Sequence, residues 1–95
     1  MIQRHVWISG RVQGVGFRAS TISAARHFPE LLGFVRNLPD GRVEAVFSGQ
    51  ESDVLKMVAW CKNGSPLSKV TLIEVKEEPL DSSLGRFQMV RFDKS

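Results

Sequence analysis

The stretch Gly33–Gly49, GFVRNLPDGRVEAVFSG, predicts two strands that form a β-hairpin. The first strand covers Phe34–Leu38. It is followed by a turn in which Pro39 presets φ and Gly41 can adopt a positive φ. The second strand alternates, and the apolar side chains on one of its faces are Val43, Ala45 and Phe47. Because a hairpin joins antiparallel strands, this stretch breaks the βαβ repetition of a doubly wound parallel sheet.

One strand and one helix are predicted before the hairpin. Residues 5–12 alternate between Val6, Ile8, Gly10, Val12 and their more polar neighbours, which is typical of a strand. A helix is expected from about Phe17 to Phe28, with a weak apolar stripe. Pro29 disfavours helical geometry at the residue before it, so the helix is expected to end there.

A second helix and two strands are predicted after the hairpin. The helix covers residues 50–62 and is stopped by Asn63 and Gly64. Val70–Glu77 alternates as a strand, and a last short strand is expected over Phe87–Phe92. One face of the second helix is apolar, formed by Val54, Met57, Val58 and Cys61.

This order of elements predicts an α+β fold of the ferredoxin-like βαββαβ type. Two helices should cover one face of an antiparallel sheet, with a short extra strand at the C-terminal end. At 95 residues the chain is expected to form a single domain, residues 1–95. The fold alone does not decide the function, because many unrelated activities occur on it.

The charge, the hydrophobic pattern and the cysteine content indicate which ligands and which cell compartment to expect. The net charge is +3, and the excess lies in residues 1–47, which hold six arginines and three acids. Arginine is well shaped for binding oxyanions, although a solvated surface explains the same count. No apolar run is long enough to span a membrane, and the first residues lack the apolar stretch of a signal peptide. With Cys61 as the only cysteine, we expect a cytoplasmic protein.

The stretch Ile8–Ser20, ISGRVQGVGFRAS, predicts an anion site between the first strand and the first helix. Successive backbone N–H groups in such a loop can curve around an anion, and the helix dipole adds positive potential. Gly14 and Gly16 remove side chains that would keep an anion at a distance, and Arg18 can reach the same anion. The alternative is a tight connection that needs glycine for its dihedral angles alone.

Two other phosphate motifs fit poorly. A P-loop requires Gly-Lys followed by Ser or Thr, and this loop has no lysine. Gly14, Gly16 and Ala19 match a permissive form of the dinucleotide-binding motif. That motif also requires an acidic residue at the end of a parallel strand to bind the ribose, whereas Asp40 lies at the tip of the hairpin turn.

Asn37 is the second candidate site residue. Asparagine is disfavoured within strands, and a residue just before a turn often hydrogen-bonds locally. The alternation around it is too short to show which face of the sheet it occupies.

Taken together, the two stretches resemble the acylphosphatase family. The first is similar to one family signature over Ile8–Arg18, and the second to another over Gly33–Gly49. The matching positions are Gly10, Val12, Gln13, Gly14, Val15, Phe17, Arg18, Asn37, Gly41, Val43 and Gly49. The chain departs from the family at the exit of the first helix, where it has His27-Phe28-Pro29-Glu30.

The resemblance implies hydrolysis of the carboxyl–phosphate bond of acyl phosphates by water, with no metal and no cofactor. It implies that Arg18 binds the phosphoryl group and Asn37 positions the attacking water. The remaining phosphate-binding loop would be Gln13, Gly14, Val15, Gly16 and Phe17. Physical chemistry makes this plausible, because a carboxylate is a good leaving group and phosphoryl transfer needs mainly positioning and charge.

The partners expected are therefore a small-molecule acyl phosphate as substrate and phosphate or sulfate as a loop ligand. We expect a monomer with no nucleic-acid partner and no membrane contact. Two alternatives remain open. One is a domain that binds acyl phosphates without turnover. The other is an RNA-binding module that uses Trp7 and Phe47 on an open sheet face, although neither lies in a typical RNA-binding motif.

Overall fold

Five strands and two helices make up the computed structural model, which describes residues 1–89. The predicted order of elements is confirmed, and the expected boundaries differ by a few residues. The elements are β1 (Ile2–Arg11), α1 (Phe17–Ala25), β2 (Leu32–Asn37), β3 (Val43–Gly49), α2 (Glu51–Asn63), β4 (Lys69–Glu78) and β5 (Gln88–Met89).

The strands form one sheet in the order β4-β1-β3-β2-β5. The pairs β1/β3, β1/β4 and β2/β3 are antiparallel, as predicted. The extra strand β5 differs, because it runs parallel to β2 and makes the sheet mixed. The expected last strand, Phe87–Phe92, is seen over Gln88–Met89, and its residues from 90 onward lie outside the described part of the chain.

Both helices cover the same face of the sheet. Val6 lies opposite Ala45, and Val35 lies opposite the same residue from the other side, so the three strands share one apolar face. Residues of α1 and α2 join that face in a single core. The core members that are less than 2% exposed include Val6, Ile8, Phe17, Leu31, Val35, Val43, Phe47, Val54, Met57 and Cys61.

Helix α1 is shorter than predicted, because it ends at Ala25 and not at Phe28. The turn after Ala25 has the hydrogen-bond pattern of a 3₁₀ helix, because the N–H groups of His27 and Phe28 donate to the carbonyls three residues earlier. Pro29 explains this, since it pushes Phe28 away from α-helical geometry and the last turn adapts before it. Helix α2 ends at Asn63, one residue later than predicted, and Gly64 is the cap residue, with φ 69° and its N–H donating to the Trp60 carbonyl.

The other face of the sheet carries a hydrogen-bonded chain of charged residues. His5 lies between two carboxylates, with Nε2 2.7 Å from Glu44 and Nδ1 2.8 Å from Glu78. Glu44 also accepts a hydrogen bond from Arg36 Nε. The side-chain amide of Gln3 donates to Glu78 at 3.1 Å. No helix within residues 1–89 is long and apolar enough to cross a membrane.

Glu78 makes the fold sensitive to acid. Burial raises the pKa of Glu78, but hydrogen bonds from His5 and Gln3 outweigh burial and hold the pKa below its usual value of 4.5. A lowered folded-state pKa stabilises the protein above the unfolded-state value, and this stabilisation is lost as the pH falls through the folded-state value. We expect unfolding at pH 3 to 5 to depend less steeply on pH in Glu78→Gln than in wild type. Urea titrations across this range measure it, and parallel pH profiles for the two proteins would contradict it.

Candidate active site

The loop between β1 and α1 depends on two left-handed glycines. Gly14 has φ 74° and Gly16, the residue that caps α1, has φ 76°. Side chains other than glycine cost about 1–2 kcal/mol in this conformation. A Cβ placed on either glycine would meet no other atom within 4 Å, so the space above both is open to a ligand. The glycines therefore serve the backbone geometry and also leave room for an anion.

A small cavity joins this loop to the end of β2. Its volume is about 120 Å³, well above the roughly 10–15 Å³ that one water molecule requires on the same measure. It brings together Arg18 and Asn37, which lie 19 residues apart in the chain. The cavity is lined by Val12, Gly14, Gly16, Phe17, Arg18, Ala19, Asn37 and Met89.

Arg18 offers an uncompensated positive charge at this cavity. It lies in the first turn of α1 and is partly buried. Within residues 1–89 its guanidinium makes no hydrogen bond or ion pair, whereas Arg4 and Arg42 are each paired with a carboxylate. An arginine beside a helix N-terminus is well placed to bind an oxyanion through two parallel hydrogen bonds.

Asn37 faces the helices. It pairs with Val43, whose side chain lies in the core, so the face that the sequence left open is now known. Its Oδ1 is buried and has no hydrogen-bond partner within the described residues. A half-turn of the amide exchanges Oδ1 and Nδ2 without changing the shape of the side chain. The amide can therefore present either a donor or an acceptor to the cavity.

Gln13 connects the two halves of the site. Its Nε2 donates to the Leu38 carbonyl at 2.7 Å and to the Arg42 carbonyl at 2.9 Å. Both carbonyls belong to the hairpin turn that follows Asn37. The Gln13 side chain thus holds the loop against the turn and does not line the cavity. Its contribution to ligand binding would come from the backbone.

Val15 and Phe17 are also held from outside the cavity. The Ser65 hydroxyl donates to the Val15 carbonyl at 3.1 Å, which ties the loop to the segment after α2. Phe17 is 1% exposed and packs against Trp60 with ring centroids 5.4 Å apart. These contacts fix the loop and the start of α1 before any ligand binds.

Sequence reasoning missed several residues of the site. Val12, Ala19 and Met89 line the cavity, and Ser65 anchors the loop. Ala19 could have been found, since it follows Arg18 on a helix turn that faces the site. Met89 could not, because its position depends on the parallel pairing of β5 with β2. Ser65 could not be found from the sequence, because its hydroxyl bonds to the Val15 carbonyl, which is 50 residues away in the chain.

Among the residues that the structure describes, the cavity lining contains no nucleophile. It lacks serine, threonine, cysteine, histidine and acidic side chains among the described residues. The same part of the chain holds no cluster of three or more histidine, cysteine, aspartate or glutamate side chains that could bind a metal ion. Cys61 lies in the core, as predicted, and is 0% exposed.

Burial makes the Cys61 thiol unreactive, since it raises its pKa to about 12. We expect a thiol reagent such as dithionitrobenzoate to leave the native protein unmodified at pH 8. One equivalent should react once the protein is unfolded in guanidinium chloride. Absorbance at 412 nm measures the released thiolate, and rapid labelling of the native protein would contradict the burial.

One of the two aromatic residues that the RNA-binding alternative requires is not on the open face of the sheet. Phe47 is 0% exposed and stacks on Phe87 in the core, so it does not lie on the open sheet face. Trp7 does lie on that face, where its ring stacks on His5 at a centroid distance of 3.9 Å. A base-stacking platform on the central strands needs both aromatic rings exposed.

Comparison with known proteins shows the family to which the chain belongs. The family model for acylphosphatase matches residues 4–89. An acylphosphatase of Syntrophobacter fumaroxidans is 58% identical over 85 residues, covering 90% of this chain and 87% of the relative. The crystal structure of Bacillus subtilis acylphosphatase superposes with a TM-score of 0.87 at 43% identity, covering 95% of this chain and 99% of that one. An acylphosphatase structure from Coxiella burnetii gives a TM-score of 0.85 at 31% identity, covering 94% and 92%. The chain therefore belongs to the acylphosphatase family and is a hydrolase of acyl phosphates.

Proposed function

We propose that Arg18 and the backbone N–H groups of residues 14–18 bind the phosphoryl group, and that the Asn37 amide positions the water that attacks it. The observation that carries this proposal is the cavity shared by the two residues. Arg18 has no ion-pair partner there within residues 1–89, and Asn37 has a buried oxygen without a hydrogen-bond partner. Arg18 is thus available to a ligand, and the Asn37 amide at the same cavity has hydrogen-bonding capacity that no described residue uses.

Direct attack by water follows from what lines the cavity. No side chain among the described residues that line it can form a covalent phosphoenzyme. The carboxylate of an acyl phosphate leaves without protonation, so the reaction needs no general acid. The transition state of phosphoryl transfer is loose, and the enzyme contributes mainly position and positive charge. Arg18 and the loop amides supply the charge, and Asn37 supplies the orientation.

A phosphate oxygen of the substrate accepts the proton of the attacking water. An amide is not a useful base, and the described lining holds no carboxylate or imidazole that could act as one. A pH profile of kcat/KM without an enzymatic base supports this assignment. A bell-shaped profile whose limbs belong to the free enzyme would contradict it.

We further propose that the reaction is independent of metal ions, since the lining residues within 1–89 offer one amide and one thioether but no carboxylate, imidazole or thiolate ligands. Benzoyl phosphate hydrolysis should proceed at the same rate after treatment with EDTA as in added Mg²⁺. In ¹⁸O-labelled water, one label should appear in phosphate and none in benzoate. Label in benzoate would show attack on the carbonyl carbon and overturn the proposal.

Binding of inorganic phosphate separates the two residue roles. As a competitive inhibitor it should bind Arg18→Ala at least tenfold more weakly than wild type, because the guanidinium contacts the anion itself. It should bind Asn37→Ala within twofold of wild type, because Asn37 contacts the water. Equal weakening in both variants would place Asn37 on the phosphoryl group and refute its proposed role. Sulfate is expected to compete in the same way.

We propose that residues 1–95 form a single domain that acts as a monomer in the cytoplasm. The elements within residues 1–89 share one core, and the single thiol is buried, which suits a reducing compartment. Light scattering after size-exclusion chromatography should give a mass near 10.6 kDa. A mass near twice this value would contradict the monomer.

A further inference from the structure

One peptide plane of the loop between β1 and α1 is held from outside the phosphate cavity. The Ser65 hydroxyl, in the segment after α2, donates to the Val15 carbonyl at 3.1 Å. Ser65 is 3% exposed and lines a separate cleft, which shares no residue with the cavity. Val15 does not line the cavity either, whereas the next residue, Gly16, does. The Val15 carbonyl therefore points away from the cavity.

The geometry of the peptide bond then sets the direction of the Gly16 N–H. The Val15–Gly16 peptide is trans, so its C=O and its N–H point in opposite directions. With the carbonyl bonded to Ser65, the Gly16 N–H points to the side on which the cavity lies. This N–H is one of the loop amides that are proposed above to bind the phosphoryl group.

The loop backbone does not fix this direction by itself. A half-turn of the peptide changes ψ of Val15 and φ of Gly16 and leaves the path of the chain in place. Gly16 has φ 76°, and glycine adopts positive and negative φ about equally readily. Valine can occupy both the α and the β region. The rotated peptide would turn the Val15 carbonyl oxygen toward the cavity, where it would repel an anion.

The segment that carries Ser65 is itself firmly held. The Ser65 carbonyl accepts hydrogen bonds from the Ser68 N–H at 3.0 Å and from the Ser68 hydroxyl at 2.7 Å. Gly64 lets the segment approach the start of α1, since a Cβ on Gly64 would lie 2.7 Å from the Phe17 ring. The Ser65 hydroxyl is thus a fixed donor that can hold the loop in one geometry.

We propose that Ser65 is a positioning residue for the reaction: its hydroxyl holds the Val15–Gly16 peptide in the orientation that turns the Gly16 N–H toward the phosphoryl group. The inference rests on the phosphoryl position proposed above. Without the hydroxyl, the loop divides between two peptide orientations, of which only one binds the anion. The apparent affinity for the anion then falls in proportion to the fraction of molecules in that orientation.

Ser65→Ala is expected to raise the KM for benzoyl phosphate and the Ki of inorganic phosphate by the same factor, about fivefold, with kcat within about twofold of wild type. The kcat is preserved because a bound anion selects the competent orientation. A variant that is only less well folded would instead have a lower kcat and an unchanged KM, since fewer molecules would be active. That result would overturn the inference.

Two further variants test whether the hydroxyl itself is responsible. Ser65→Thr keeps the hydroxyl and should restore both constants to within about twofold of wild type. Ser68→Ala is the matched control, because the Ser68 hydroxyl bonds within the segment and not to the loop, and the Ser68 N–H still holds the Ser65 carbonyl. It should change neither constant, and a fivefold rise in Ser68→Ala would contradict the role of Ser65.

Amide NMR measures the peptide orientation directly. In wild type, saturating phosphate should shift the Gly16 amide proton downfield. In Ser65→Ala without ligand, this resonance should be broadened by exchange between the two orientations and should sharpen when phosphate is added. A wild-type Gly16 amide that does not respond to phosphate would show that the phosphoryl position is wrong, and the inference with it. If the wild-type amide responds and Ser65→Ala matches wild type in KM, Ki and this resonance, the phosphoryl position stands and the role of Ser65 is refuted.

Discussion

Arg18→Ala is expected to lower kcat/KM for benzoyl phosphate by about 10³-fold or more. In enzymes that transfer phosphoryl groups, an arginine that stabilises the transition-state charge contributes about 10³–10⁵ to the rate. Here it is the only cationic side chain among the described residues that line the cavity. The loss should appear in both kcat and KM, because the guanidinium contacts the phosphoryl group in the bound substrate and in the transition state.

The stability of the protein should be unaffected by this change. Within residues 1–89, Arg18 has no hydrogen-bond or ion-pair partner that its removal would leave unpaired. Melting temperature by circular dichroism is expected to stay within 2 °C or so of wild type, as for surface substitutions in general. A variant that melts well below wild type would show that Arg18 serves the fold.

Two further variants distinguish charge from geometry. Arg18→Lys keeps the positive charge but loses the planar fork that binds two oxygens, so it should recover only part of the rate. Arg11→Ala removes an exposed arginine at the end of β1 and controls for the loss of one positive charge. It should remain within about threefold of wild type, because exposed charges act weakly at a distance in salt. Full activity in Arg18→Ala would refute the proposed role of Arg18.

The sequence predicted the architecture because each element carries its own local signal. The Pro39–Gly41 turn forms as expected, with the Gly41 N–H donating to the Leu38 carbonyl at 3.2 Å. Gly64 ends α2 because it adopts a positive φ of 69°, which glycine does readily, and the local sequence is enough to predict this. The direction of β5 was not predictable in this way. A strand of two residues has too little pattern to show whether its neighbour runs parallel or antiparallel to it.

The site was predictable to a similar extent. The glycines and Arg18 lie within one short stretch, where spacing alone indicates an anion site. Asn37 could be paired with Arg18 only through the family resemblance, since the register that places it on the helix-facing side depends on β3. The place of Met89 at the cavity required the tertiary structure, because it depends on the pairing of β5 with β2.

Asn37→Ala is expected to lower kcat by about 10²-fold while KM stays within threefold. Misplacing a reactant by about 1 Å can cost this much in rate, and the Asn37 amide is proposed to hold the water and not the phosphoryl group. A change confined to kcat is the mark of an interaction made in the transition state alone. Asn63→Ala is the matched control, since Asn63 is exposed at the end of α2 and is not among the residues that line the cavity.

The same substitution should leave the fold intact or make it more stable. Asn37 Oδ1 is buried without a partner in the described part of the chain, and such an oxygen costs free energy in the folded state. Truncating the side chain to a methyl group removes the carboxamide and that cost, so the free energy of unfolding is expected to equal wild type or exceed it by up to about 1 kcal/mol. Urea denaturation measures this difference.

The two outcomes together test why Asn37 is present. A residue that lowers stability and raises the rate is under strain for function, which is common at active sites. If Asn37→Ala loses rate and gains stability, its amide serves the reaction. If the variant instead loses stability and keeps its kcat, the amide serves the hairpin, as a residue before a turn often does. The role as a water-positioning residue would then be wrong, and Arg18 with the loop amides would carry the reaction.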